Sequence, residues 1–175
     1  FRNEVVGGSI PTNFIPAVEK GLQESLGQGP ISGSHVVDVA VVVYDGKHHA
    51  VDSDEVSFKI AASHAFRDAF IKAKPALLEP IYHVIITVPE EFLGEVMGDL
   101  TSRRGRISGT SADGHFQVIE AEVPLAEMDR YATRLRSMSQ GKGMHTQRPE
   151  RYDEVPHDLQ ARIAEQAASE QAQAA

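Results

Sequence analysis

Cysteine is absent from the 175 residues, which excludes disulfides and thiolate metal sites and fits a reducing compartment. No run approaches the roughly 18 apolar residues a membrane-spanning helix needs. The opening residues carry no signal-peptide pattern, so the expected location is cytoplasmic, with no membrane partner. Phe1 stands where a start methionine would be, which implies a piece of a longer protein. A phosphate-cradling G-x-x-x-x-G-K-[ST] loop is also missing, and Gly141-Lys142-Gly143 is only superficially similar. The chain is therefore expected neither to bind nor to hydrolyse a nucleoside triphosphate by itself. Basic residues are in deficit, 17 Lys and Arg against 25 Asp and Glu, for a net charge of -8. Nucleic-acid binders are usually basic overall. However, residues 150–175 hold 2 basic and 6 acidic side chains, half of that net charge. Screening confines charge effects to about 10 Å, so a local basic patch elsewhere remains open.

What is present reads as an α+β chain of two small domains. Phe1–Val6 is strand-like and closes at Gly7-Gly8. Phe14, Ala17, Val18, Gly21, Leu22 and Leu26 follow the spacing of one helix face, and Gly27 to Pro30 ends that helix. Val36–Tyr44, interrupted only by Asp38, predicts a largely buried strand. Asp45-Gly46 signals a turn. Asp52 with Glu55 resembles a capping box, opening a helix over about 53–74. Its predicted buried face is Phe58, Ala61, Ala62, Ala65, Phe66, Ala69 and Phe70. Pro75 stops it.

Pro80 marks a boundary, giving domains of 1–79 and 80–152 and a tail of 153–175. The second domain reads strand, helix, strand, strand, helix, strand. Its elements are Ile81–Val88, a helix with Phe92, Leu93, Val96, Met97 and Leu100, and strands Arg106–Gly109 and Phe116–Val123 around a turn at Ser111–Gly114. A helix marked by Leu125, Met128, Ala132 and Leu135 follows, then a polar strand, Met144–Arg148. This βαββαβ order is the ferredoxin-like arrangement. The tail favours helix but lacks an apolar stripe over Gln166–Ala175, which predicts fraying.

Two places could carry chemistry. The loop YDGKHHAVDSDE presents Lys47, His48 and His49. Adjacent residues of a strand point to opposite faces, and the other histidines lack ligand spacing, so no metal site is expected. A His–carboxylate pair using Asp52 or Asp54 is chemically conceivable, but no nucleophile stands out. A solvated loop accounts for these residues, and so does RNA contact. Lys47 can meet phosphate, and imidazoles can stack on bases or hydrogen-bond a 2′-hydroxyl. The second place is Ser102-Arg103-Arg104-Gly105-Arg106. Arg103, Arg104 and Arg106 either complement a helix C-terminus or recognise phosphate. Arg134, Arg136 and Lys142 form another basic group, and both helix C-termini are expected near one end of the sheet.

IPAVEKG (15–21), VDSDEVSFKIA (51–61), AKPALLEPI (73–81), GDLTSRRGRI (98–107), VPLAEMDRYATRLRS (123–137) and SQGKG (139–143) together resemble the C-terminal part of bacterial elongation factor G. The resemblance implies that residues 1–79 are a domain IV-like arm with a left-handed βαβ crossover, an exception to the usual hand. Residues 80–152 would be domain V. It implies ribosome, rRNA and tRNA–mRNA as partners of a monomeric factor promoting translocation. The arm tip, with His49 as its histidine, would meet the small-subunit decoding site, and domain V the large-subunit factor-binding centre. GTP and Mg would belong to a GTPase domain outside this chain, leaving the fragment itself non-enzymatic. A recycling or ribosome-protection factor shares this architecture; a His-based metal hydrolase is the alternative from another class. The family's domain IV begins with a strand and a glycine-rich tip loop that precede Phe1. His48 stands where the family commonly has an aromatic residue, Asp129-Arg130 where it has Phe-Gly, and the last strand is unusually polar. These departures suggest a divergent paralogue.

Overall fold

The computed structural model describes residues 1–174, with side chains through Glu170. Two compact units share the chain: 1–75 with the segment from His157 onward, and 76–156. No helix among the described residues is long and apolar enough to cross a membrane.

In the first unit β1 (Arg2–Asn3) pairs in parallel with β2 (Val42–Val43), and α1 (Ile15–Leu26) lies between them in sequence. Pro16 sits in the first turn of α1, where a missing N–H costs nothing. α2 (Glu55–Lys72) packs on α1 through Val18 and Leu22 against Phe58, Ala62 and Phe66, with Ile10 completing the cluster. Phe14 stacks on Phe58 at 4.6 Å between centroids. Gly21 makes the close crossing possible, since a Cβ there would lie 2.3 Å from the Lys59 carbonyl oxygen. The hydroxyls of Ser25 and Ser63 lie 2.8 and 3.1 Å from the Gly21 carbonyl oxygen, tying the two helices at that point. α5 (His157–Ala174) is helical across 166–174, where the lack of an apolar stripe predicts fraying.

Three expectations for this unit are corrected. Val36–Tyr44 is not a buried strand. Only Val42–Val43 pairs, Asp38 turns left-handed at φ 55°, and Val37, Val39 and Tyr44 are exposed. A two-residue ladder with helices on one side covers only part of the run, so Val36, Val41 and Val43 alone reach the helices. The α2 cap is Asp54, not Asp52: Asp54 Oδ1 accepts from the Ser57 amide at 2.6 Å. The buried seam of α2 is also narrower than predicted. Phe58, Ala62 and Phe66 are buried and Phe70 partly so, while Ala61, Ala65 and Ala69 face solvent.

The second unit is a four-stranded antiparallel sheet carrying two helices. Its elements are β3 (Leu78–Pro89), α3 (Leu93–Ser102), β4 (Arg106–Asp113), β5 (Phe116–Pro124), α4 (Tyr131–Met138) and β6 (Met144–Glu154). The strand order is β4-β5-β3-β6, the ferredoxin-like order. Val84, Ile86 and Val88 of β3 and Ile119, Ala121 and Val123 of β5 alternate inward onto Val96, Leu100, Tyr131 and Leu135, and the cluster is closed to solvent.

Here too the structure departs from expectation. The second helix does not begin at Leu125. A 3-10 turn, Leu125–Met128, breaks at Asp129-Arg130, where Arg130 is left-handed at φ 53°. The seam becomes Met128, Tyr131, Leu135 and Met138, and Ala132 is exposed. β4 runs to Asp113, so the hairpin turns at Gly114-His115 instead of Ser111–Gly114. β6 extends through Pro149 to Glu154 instead of stopping at Arg148. Among the described residues it pairs only with β3, so a proline lacking a donor is tolerated on its free side, beside a register shift at Ile81/Tyr82. The helix C-termini do not share one end. Lys142, after α4, reaches Glu91 and Phe92 at the start of α3, so the helices run antiparallel.

Candidate functional site

The loop between β2 and α2 is held from several sides. Asp45 Oδ1 accepts from the Gly46 amide at 2.8 Å, and Gly46 passes so close to Ile10 that a Cβ would lie 2.6 Å from that side chain. The loop is therefore seated on the edge of the core by a residue with no side chain. At its far side Asp54 caps α2, and the Ser57 hydroxyl and amide hold its carboxyl below the usual carboxylate range. Between these anchors the His49 amide donates to Ser53 Oγ at 2.8 Å.

The three predicted residues are all exposed on this loop. Lys47 projects into solvent. His48 Nδ1 lies 3.4 Å from the Ser9 carbonyl oxygen. His49 Nδ1 lies 3.0 Å from Asp52 Oδ2, both side chains about three-quarters exposed. Asp52, freed from capping, is thus the partner of the imidazole. Sequence reasoning considered such a pair but gave Asp52 to the helix. Two Asp-x-x-Glu/Ser spacings overlap here, and only the geometry separates them. Among the described residues, no three His, Cys, Asp or Glu side chains come close enough to hold a metal ion.

The arginine cluster lies where α3 meets β4, and the structure separates its members. Arg103 Nε donates to Asp99 Oδ2 at 2.8 Å, another of its nitrogens donates to the Glu127 carbonyl oxygen, and its guanidinium lies 5.2 Å above the Tyr131 ring. Arg104, at φ 58°, grips both oxygens of Glu79 at 2.6 and 2.9 Å and donates from Nε to Glu127 Oε1 at 2.9 Å. Hydrogen bonding to Glu79 drives its pKa further upward, so it stays charged. These two arginines spend their donors inside the domain. Arg106 is exposed and sits in register opposite Glu122, whose carboxyl is held low first by Arg151 and then, among other groups, by Arg106 itself. Of the second basic group, Arg134 contacts Asp99 at 3.3 Å, Lys142 contacts Glu91, and Arg136 is exposed.

The tip is thus a solvent-facing set of two imidazoles and an ammonium, seated beside Ile10 and tied to Ser9, Asp52 and Ser53, and the arginine turn is chiefly self-neutralised. The family described as elongation factor G, domain IV, matches residues 1–74. The family described as elongation factor G C-terminus matches residues 76–163, running into α5 although packing groups α5 with the first unit. A crystal structure of a protein from Thermus thermophilus is similar, with a TM-score of 0.78 and 40% identity over 97% of this chain. This chain spans 26% of that protein's length. Two adjoining domain matches in tandem, covering nearly the whole sequence, show that the chain belongs to the elongation factor G family.

Proposed function

We propose that this chain is the ribosome-contacting C-terminal part of a translational GTPase that promotes tRNA–mRNA translocation. The carrying observation is the exposed Lys47-His48-His49 tip, seated on a two-helix core in a domain that matches elongation factor G domain IV. A packed support of this kind resists deformation, as an element that blocks return movement must. Lys47 meets phosphate, and the imidazoles meet bases or sugar hydroxyls in the small-subunit decoding site. The ferredoxin-like domain meets the large-subunit factor-binding centre. There Arg106 supplies the contact, and Arg103 and Arg104 hold the turn that presents it. GTP and Mg are bound and hydrolysis is performed by a domain outside these residues, in a monomeric cytoplasmic factor.

The test is pre-steady-state translocation with the complete factor. Losing a hydrogen bond of ordinary strength to RNA lowers a rate by about tenfold. His49→Ala is therefore expected to slow translocation by about tenfold while ribosome binding changes little. An unchanged rate removes the tip imidazole from the mechanism.

A further inference from the structure

We propose that Asp52 is the positioning residue of the arm tip, and that with the Ser9 carbonyl it makes both tip histidines present bare Nε2 acceptors outward. The inference deepens the RNA-contact reading above and rests on it for its partner. The chemistry begins with what each acceptor can do. A carboxylate offers only lone pairs to a neutral imidazole, so the 3.0 Å contact between His49 Nδ1 and Asp52 Oδ2 places the ring proton on Nδ1. A backbone carbonyl offers only lone pairs as well, so the 3.4 Å approach of His48 Nδ1 to Ser9 O does the same for the neighbouring ring. In each neutral ring the remaining nitrogen, Nε2, then carries the lone pair.

The backbone supports the same arrangement. Ser53 Oγ receives the His49 amide, so the residue following Asp52 fixes the main chain of the histidine that Asp52 orients. Asp54, the next residue, is tied to the first turn of α2 through Ser57. Position 52 is thereby delivered to the imidazole by the rigid end of a helix. Asp52 would orient little if it capped the helix itself.

The consequence is a choice of partner chemistry. Two outward acceptors select hydrogen-bond donors on RNA, the 2′-hydroxyl or an exocyclic amino group, and disfavour phosphate oxygens, which only accept. Phosphate is left to Lys47. The tip divides its labour: one cation for the backbone, two neutral rings for donor groups.

Long-range proton–nitrogen correlation spectra of the 15N-labelled 175-residue chain read the ring protons directly. At about pH 8.5, above the ordinary imidazole range, both rings are expected to show a pyrrole-like Nδ1 and a pyridine-like Nε2. Asp52→Ala should move the His49 Nε2 resonance toward the protonated position and leave His48 unchanged. Asp52 is exposed and outside the core, so backbone resonances should report an intact fold. A protonated Nε2 on His49 in the unaltered chain, or ring shifts indifferent to Asp52→Ala, overturns the proposal. In the complete factor, Asp52→Ala should slow translocation by about two- to fivefold, as suits an exposed pair. The double variant with His49→Ala should be no slower than His49→Ala alone. Additive losses would show that Asp52 acts apart from the ring and overturn its positioning role. A silent His49→Ala would instead remove the translocation reading, with the spectra still deciding the ring protons.

Discussion

The two units bury their cores to different depths. In the ferredoxin-like unit, side chains from β3, β5, α3 and α4 are wholly closed off, Val84, Ile86, Val96, Leu100 and Ile119 among them. In the arm, the best-buried apolar side chains of the helix seam, Val18 and Leu22, keep about 5% of their surface exposed, and Phe58 and Ala62 about 8%. The cause is architectural. Four paired strands form a floor wide enough to seal two helical stripes. A two-residue ladder does not, so the arm relies on the seam between α1 and α2. The difference teaches that the arm is held by one helix crossing and the other unit by a distributed core.

This contrast can be broken from either side. The largest effect is expected from Leu100→Ala, which empties a fully closed site and should cost about 2–5 kcal/mol by denaturant titration. Hydrogen exchange should place the loss in β3, β5 and α3 while the arm amides keep their protection. Next comes Gly21→Ala. Its Cβ would meet the Lys59 backbone and force the helices apart, at about 1–3 kcal/mol after overpacking outweighs the gain of helix propensity. If the arm kept its exchange protection after this change, the single-crossing account would be wrong. The smallest effect is a pH dependence. Burial first, and Arg136 second, hold the pKa of His145 below its ordinary 6.5. The folded unit therefore binds this proton less readily than the unfolded chain. Its contribution is complete above 6.5 and is lost as pH falls through the depressed value. Melting temperatures of the unaltered chain and of His145→Gln should accordingly run parallel above pH 6.5, with the variant showing the flatter response below it.

Much of the ferredoxin-like unit was legible because its strands alternate cleanly and its helices carry wide apolar stripes. Ile81–Val88 and Phe116–Val123 lie within β3 and β5, and Phe92, Val96 and Leu100 face the core. β6 was only partly legible, because an edge strand needs no apolar alternation on its outward residues. The valine run at 36–44 misled for the opposite reason. Valine favours extended backbone, but burial requires a neighbouring layer that local pattern does not reveal. At the tip, the loop and its histidines were visible, and the identity of the cap was not, since Asp52 and Asp54 offer similar spacings. The arginine turn was legible as three arginines clustered where a helix gives way to a strand. Its internal carboxylates, Glu79, Asp99 and Glu127, are distant in sequence or hidden in a helical pattern.

The character of β6 has one more consequence. A strand with an unpaired flank is a template on which another chain can grow a sheet. Here the strand carries Arg148 against Glu150, with Pro149 between them, while Arg151 pairs with Asp153 and reaches across β3 to Glu122 on β5. A foreign strand laid along it would have to strip water from these charges and would find no donor at the proline. The polarity that made this segment hard to read as a strand is the same property that opposes the addition of another strand.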